Sequence, residues 1–538
     1  MNLKPLQPSI PTQYAIATVI ALFAVVLVVF HPSYETSDDT MMNYIAAGTF
    51  NGEPSQYLVF SNYLEGVFLK WLFIRFPGIN WYPLFLYIIQ LLAFVQITYV
   101  LNKANGSRLF FGLYLLKYAI FVVYVIINLQ FTSTAFLAGI AGLLTLLHFI
   151  KNNNTKPLSI LKMAGFLLLC VLVRWESYVG LLVITAPVLV YHFRKPVFSK
   201  KHFIYGVTLL FPLLLIYLNL QFYESISSTH NYINYQLSTH KILDYDSEMA
   251  TSSLQQVDLT TTDYKLLNTY FWADDKVFTQ EKIVQLAGLK SNVLDLPKGA
   301  DVLVNYATSF LFYGALLVFI GFCFLFANAG QRKKIIVYTV FIHILLLLLA
   351  SYLKLPLRLY LPLCFTVVMM ILYEVSNHIQ ITNLSVKSKV VGLLLVVFAI
   401  MQTGINRNIS NYHKELTAKN ENAINWVELH PETLFIDIDY SDQLHRPSLF
   451  LAAPRIKGNN LIDGASFIYT PTYHSLLAKN NIQNLTIDIV GRPAVFISND
   501  AQFYSNYRQF MREHYGVECG FVHYIGLEDA LEIDWRKM

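Results

Sequence analysis

Charge is what this chain has least of. Asp, Glu, Lys and Arg make up 14% of its 538 residues, against roughly 25% in ordinary soluble domains, while 55% are hydrophobic. A soluble globular enzyme is thereby excluded. Cysteine is scarce as well. Of four, Cys170, Cys323 and Cys364 fall inside apolar runs, and Cys519 alone lies in a polar region. That leaves neither a disulfide framework nor thiolate spacing for a metal; the three in apolar runs read as small buried hydrophobes. No His–carboxylate cluster has ligand spacing, and the polar tail holds no Gly-rich phosphate loop and no nucleophile elbow. The repeated halves of many transporters are missing too. A net charge of +5 does not argue for nucleic acid, because the basic residues cluster in short loops between apolar runs.

What the chain has in excess is apolar sequence in lengths near the ~20 residues that cross a bilayer. Its mean hydropathy is +0.46. Eleven runs qualify, at about 14–30, 81–101, 109–129, 132–150, 160–173, 178–193, 203–222, 304–328, 335–353, 356–374 and 390–405. The fold class read from them is an α-helical polytopic membrane protein. No small-residue cleavage site follows the first run, which reads as an uncleaved anchor. Residues 57–76 are interrupted by Glu65, Lys70 and Arg75 and read as an interfacial helix instead of a span. With the N-terminus cytoplasmic, five short loops then fall inside. They carry Lys103 and Arg108; Lys151, Lys156 and Lys162; Arg194, Lys195, Lys200 and Lys201; Arg332, Lys333 and Lys334; and Lys387 and Lys389. The positive-inside rule requires that arrangement, and it puts the C-terminus outside the cytoplasmic membrane.

Three sizeable regions then face outward. The first, 31–80, begins HPSYETSDDTMMNYIAAGTFNGEP and carries the adjacent pair Asp38 and Asp39. Thr36 and Ser37 can cap a helix whose first turn holds both aspartates. Met41, Met42, Ile45 and Ala46 follow on one side, as in a helix lying along the interface. Such a helix holds carboxylates at the boundary of water and membrane; two aspartates at a helix start are also ordinary capping. The second region, 223–303, is polar, with a helical pattern over 264–289. The third is the tail, 406–538, which follows a transmembrane domain expected over 1–405. Strand-like TLFIDIDY and RPAVFIS and helix-like AQFYSNYRQFMREHYG predict a small α/β domain there, with binding or packing as its role.

Few ionisable residues fall at mid-membrane depth, chiefly Lys117 and His343. Two basic groups lie at the outer surface, against the general bias. One is Arg174-Trp175-Glu176 after the fifth span; the other is KLPLRLY, 354–360, between the ninth and tenth. Binding an anionic group such as a lipid phosphate explains positive charge there. Snorkelling to headgroups explains it as well.

SDDTMMNYIAAG, YLEGVFLKWLFIRFPGINWY before the second span, RWES after the fifth and KLPLRLYLP at the tenth, with a soluble domain after the last, resemble the GT-C superfamily of integral-membrane glycosyltransferases. Protein O-mannosyltransferases and lipid A aminoarabinose transferases belong to it. The resemblance implies a polyprenyl-phosphate sugar donor and an acceptor hydroxyl on a glycan, lipid or protein. It implies that an acidic residue of the first outer loop is the base, here Asp38 or Asp39. Outer basic residues hold the donor phosphate, here Arg358 with Lys354, and Arg174; Glu35, Tyr360, Trp175 and Glu176 become the substrate contacts. This chain has Asp-Asp where several relatives have Asp-Glu. Such a transfer needs a base beside the acceptor and positive charge on the departing phosphate. Direct displacement inverts the anomeric centre. Some branches place a divalent metal between the acidic pair and the phosphate; nothing in these residues demands a metal or any other cofactor. A surface-polysaccharide polymerase or ligase, using a loop such as 223–302, shares these features. A lipid-linked sugar transporter or flippase, or a non-catalytic membrane scaffold, shares the bundle.

Overall fold

In a computed structural model the described residues are 9–152, 156–193, 200–225, 232–244, 249–290, 294–309, 311–353, 355–376, 386–438, 443–464, 470–527 and 529–537. The chain opens with α1 (Thr12–Val29), β1 (Ser33–Tyr34), α2 (Ser37–Ala47), α3 (Tyr63–Arg75) and α4 (Trp81–Ala104). Next come α5 (Arg108–Lys117), α6 (Val123–Ile127), β2 (Asn128–Leu129), α7 (Phe131–Asn152), α8 (Pro157–Val173), α9 (Trp175–Phe193) and α10 (Lys200–Ser225). Shorter helices follow: α11 (Tyr232–Asp244), α12 (Thr251–Gln256), α13 (Thr261–Asn268), α14 (Gln280–Leu289) and α15 (Leu296–Ser309). Then come α16 (Leu311–Phe326), α17 (Ala329–Tyr352), α18 (Leu357–Val375) and α19 (Val386–Leu429). The last part alternates: β3 (Leu434–Asp437), β4 (Leu461–Asp463), α20 (Pro471–Lys479), α21 (Leu485–Asp488), β5 (Ala494–Ile497), α22 (Ala501–Tyr515), β6 (Val517–His523) and β7 (Ala530–Lys537).

Among the described residues nine helical segments are long and apolar enough to cross a bilayer, α5 and α6 counting as one; α8 and α16 are apolar but shorter. Each of the eleven expected spans has its helix, and the chain is a multi-pass α-helical membrane protein. The run expected over 304–328 covers the end of α15 and all of α16. Residues 57–76 contribute only the 13-residue α3.

The chain divides into two compact units. The first comprises Met1–Glu35, Leu84–Tyr217 and Leu294–Tyr412. Its centre is α7, buried from Phe131 to Leu147, because FTSTAFLAGIAG offers small residues against which other helices pack closely. A π-helical turn, Tyr118–Val122, joins α5 to α6. The chain leaving α1 is fixed by β1, which pairs in parallel with β2, and by the Glu35 N–H, which donates to the Leu129 carbonyl at 2.9 Å.

The second unit comprises Thr36–Pro83, Leu218–Val293 and His413–Met538. The boundary expected at 405/406 falls inside α19, a helix of 44 residues. No proline interrupts it before Pro431, and its polar half keeps a helical apolar stripe at Leu416, Ala423, Ile424 and Val427, all buried. The tail forms a five-stranded sheet in the order β4-β3-β5-β7-β6, the first three strands parallel and β7 antiparallel to both neighbours. TLFIDIDY supplies β3, RPAVFIS supplies β5, and AQFYSNYRQFMREHYG supplies α22, which ends at Gly516 with φ +62. Phe503, Tyr507, Phe510 and Met511, one face of α22, pack on the sheet. Met41, Tyr44 and Phe50 from the stretch 31–80 and Phe271, Trp272 and Phe278 from 223–303 join the same core.

Two local expectations are corrected. The helix expected over 264–289 is two helices, α13 and α14, separated by a loop in which Tyr270 takes φ +65. Buried Asp274 organises that loop, accepting the N–H groups of Lys276 and Val277 at 3.0 Å and the Tyr515 hydroxyl at 2.7 Å. Helix α2 is not an amphipathic helix with one open face: every residue from Asp39 to Ala47 is buried.

Candidate active site

Helix α2 begins at Thr36, whose extended backbone makes it the N-cap, yet its side chain accepts no bond from the helix. The hydroxyl instead donates to Asp39 Oδ2 at 3.1 Å. Asp39 is fully buried, and its Oδ1 accepts the Tyr82 hydroxyl at 3.0 Å. Asp38 is half-buried. Neighbours on a helix point about 100° apart, which puts the two carboxylates in different surroundings. One turn beyond Asp39, Asn43 is also fully buried, and among the described residues neither its amide nitrogen nor its oxygen has a partner. Buried polar groups are nearly always paired, so a vacant amide here points to a ligand or water.

The turn after α2 brings in a third acid. Gly48 ends the helix at φ +75, and a Cβ there would meet Glu53 and Pro54 backbone at 2.6 Å. The chain doubles back, with the Ser55 N–H donating to the Ile45 carbonyl at 3.0 Å. Gly66 then lets α3 lie against Gln56, whose carbonyl would be 2.0 Å from a Cβ. That contact seats Glu65 inside, 2% exposed. Burial pushes its carboxyl well above the usual range; nearby Ser61 opposes the shift and the charge of Asp39 adds to it. The shift favours the protonated form of Glu65, beside an aspartate. In the sequence Glu65 stands out only as an interruption of an apolar run, and Asn43 does not stand out at all. The four-residue spacing from Asp39 was the available signal for Asn43.

Helix α2 is clamped by the tail. The Thr40 hydroxyl donates to the His445 carbonyl at 2.7 Å and the Tyr44 hydroxyl to the Leu444 carbonyl at 3.2 Å. His445 is itself buried and bonded to Asp437, the last residue of β3. Asp437 pairs in register with Asp463 of β4, and both line a small cleft with Met41, Tyr44 and Phe50. The carboxyl edge of the parallel strands thus holds the acidic helix.

The other expected residues belong to the first unit. Arg174 is the C-cap of α8; its Nε pairs with Glu176 Oε2 at 3.1 Å and its guanidinium lies 5.0 Å from the Phe131 ring. Trp175 starts α9. Glu35 is half-buried and shares a side-chain hydrogen bond with Tyr124. Arg358 is half-buried in the first turn of α18, and Tyr360 is fully buried with its ring 6.4 Å from that of Tyr313. Lys354 lies outside the described residues. Thus Asp38, Asp39 and Glu65 share one unit, and the expected phosphate ligands share the other.

The mid-membrane candidates have local partners. Lys117 is fully buried, its ammonium 2.6 Å from Met369 Sδ and 3.9 Å from the Phe365 ring centre. His343 is satisfied on both sides, bonded to the Thr339 carbonyl at 2.7 Å and the Tyr313 hydroxyl at 2.8 Å. Asp263, Glu513 and His514 gather within 4.8 Å of one another, as metal ligands do. Their atoms are engaged, however: Asp263 with His514 and the Thr260 N–H, Glu513 with Thr262 and Gln509. This network ties α13 to α22. Burial pushes the Cys519 thiol up to about 11, which keeps it unreactive.

No protein-family model matches the chain, and no curated protein matches it. Among solved structures the chain is similar to the crystal structure of ArnT from Cupriavidus metallidurans bound to undecaprenyl phosphate, at 12% identity over 97% of each chain, with a TM-score of 0.38. A likeness this loose assigns nothing, so function rests on the residues themselves.

Proposed function

We propose that this membrane protein is a GT-C-type glycosyltransferase. It transfers a sugar from a polyprenyl-phosphate donor to an acceptor hydroxyl on the extracytoplasmic side, with inversion at the anomeric carbon. One observation carries the reading: Asp39 is wholly buried and held by Tyr82 and Thr36, beside half-buried Asp38 and within the influence of buried Glu65. A pair serving only as a cap sits at the surface and accepts backbone N–H groups; Asp39 accepts two hydroxyls. Burying acidic groups is costly, so a buried acid gathered with other acids favours chemistry over capping.

Asp38 takes the proton of the acceptor hydroxyl as the sugar's anomeric carbon is attacked. Asp39, with its oxygens directed by Tyr82 and Thr36, orients Asp38 and the acceptor. Arg358 and Lys354 neutralise the departing phosphate. Arg174, already paired with Glu176, adds less. Tyr360, Trp175, Glu176 and Glu35 remain the proposed substrate contacts. The tail domain's part is to immobilise α2 through Thr40 and Tyr44.

The test is turnover of a labelled polyprenyl-phosphate sugar by purified protein in proteoliposomes, with acceptor lipids or glycans supplied. Release of polyprenyl phosphate with a new glycosidic bond is expected, and its loss in Asp38→Asn. Movement of intact donor across the bilayer without bond cleavage would instead make the protein a flippase.

A further inference from the structure

The first unit contains a second charged feature, at the far ends of helices that carry Arg174 and Arg358. The C-terminal part of α9, the first turns of α17 and the C-terminal part of α18 surround a cleft of about 450 Å³. Arg174 precedes the other end of α9, and Arg358 lies in the opposite end of α18. Lys333 and Lys334 stand at its polar end, and Val188, Ile335 and Ile371 line its apolar depth.

The charges there are not balanced. Two lysines face one acid among the described residues: Glu374 is paired with His192 at 2.6 Å and also feels the charge of Lys334. Arg332 is turned away, its Nε donating to the Phe324 carbonyl at 3.2 Å. Lys334 is drawn over the Tyr191 ring, 3.6 Å from its centre, and Lys333 is exposed with no ion pair among the described residues. One turn deeper, on the same face as Lys334, Tyr338 also lines the cleft. It is 5% exposed, and its hydroxyl has no partner among the described residues. A buried hydroxyl left unpaired is costly, and a bound acceptor oxygen relieves that cost.

We propose that this cleft is a binding site for an anionic phospholipid of the bilayer. Its phosphate lies against Lys333 and Lys334, the Tyr338 hydroxyl donates to an ester oxygen about one helical turn deeper, and an acyl chain fills the apolar end. Two cations above one buried donor above an apolar slot match that order of groups in a glycerophospholipid. Basic pockets between membrane helices commonly take such headgroups. A free phosphate lacks the apolar part, and a neutral zwitterionic lipid lacks the net charge.

The experiment is native mass spectrometry of purified protein exchanged into discs of equal phosphatidylglycerol and phosphatidylcholine. Wild-type protein is expected to retain phosphatidylglycerol in clear excess. Lys333→Ala with Lys334→Ala should lower that excess roughly fivefold per lysine removed. Tyr338→Phe should lower the total lipid retained, without changing charge, because the ester oxygen it meets is common to both lipids. Lys387→Ala with Lys389→Ala, a basic pair in the first turn of α19, should leave the excess intact. Equal retention of both lipids by wild-type protein would overturn the proposal. So would a K333A/K334A protein that keeps the excess, or a loss as large in the K387A/K389A control. The readout is independent of glycosyl transfer, so failure of one does not imply failure of the other.

Discussion

Replacing Asp38 with Asn keeps the side chain's shape and removes a proton acceptor, and loss of a general base costs about 10²–10⁴-fold in rate. Asp39→Asn should cost less in rate and more in stability, because Tyr82 and Thr36 donate to its oxygens. Turnover compared at matched thermal stability checks the division; wild-type turnover in Asp38→Asn reduces the pair to a cap. Glu65 yields a second prediction. Its carboxyl is raised above the ~4.3 of an unfolded chain. The native protein therefore binds the extra proton, and that contribution is full below the unfolded value and is lost as pH rises through the folded one. Glu65→Gln cannot ionise. Its melting temperature should match wild type near about pH 4–5 and exceed it increasingly towards alkaline pH. A gap that does not change with pH would refute the assignment. Arg358→Ala should raise the Michaelis constant for the lipid donor, with Arg358→Lys recovering only part, since an ammonium lacks the guanidinium fork. Donor kinetics unchanged by the alanine variant would mean simple snorkelling.

At the scale of elements, the behaviour of α2 depends on what surrounds it. Gly48→Ala forces a left-handed residue and a clash with Glu53 and Pro54; the backbone term alone costs roughly 1–2 kcal/mol. Lower thermal stability together with lower activity is the expected result. Thr40→Val removes one hydrogen bond to the His445 carbonyl, worth about 0.5–1.5 kcal/mol. If the tail immobilises α2, this variant should lower kcat while leaving the donor's Michaelis constant near wild type. An equal change in both would mean the tail acts on donor binding instead. The sequence revealed that α2 exists and where it starts, because TSDD is a strong start signal and Gly48 a strong stop. It did not reveal that the helix is enclosed. An apolar stripe at Met41, Met42, Ile45 and Ala46 is equally compatible with lipid and with protein, and the covering residues lie some 400 positions away in β3's following loop.

For the whole molecule, the basic loops predict orientation. A reporter active only outside the cytoplasm, fused after Met538, should be active; a cytoplasmic signal there would invert the topology and all outer-surface roles with it. The eleven apolar runs were legible because length and hydropathy are local properties, and a bilayer rewards both without regard to the rest of the chain. The sheet strands of the tail were legible for a similar reason, as short β-branched and aromatic runs between turn residues. What the sequence alone determined is therefore the membrane class, the span positions and the acidic pair at the head of α2. The tertiary structure decided that 36–83, 218–293 and 413–538 share one core, and that α19 continues through the expected domain boundary. It also decided that Asp39 and Glu65 are buried within each other's influence, 26 residues apart in the chain. Those outcomes depend on contacts between distant segments, where burial sets the protonation of Glu65 and the partners of Asp39, and no local pattern of residue types encodes burial.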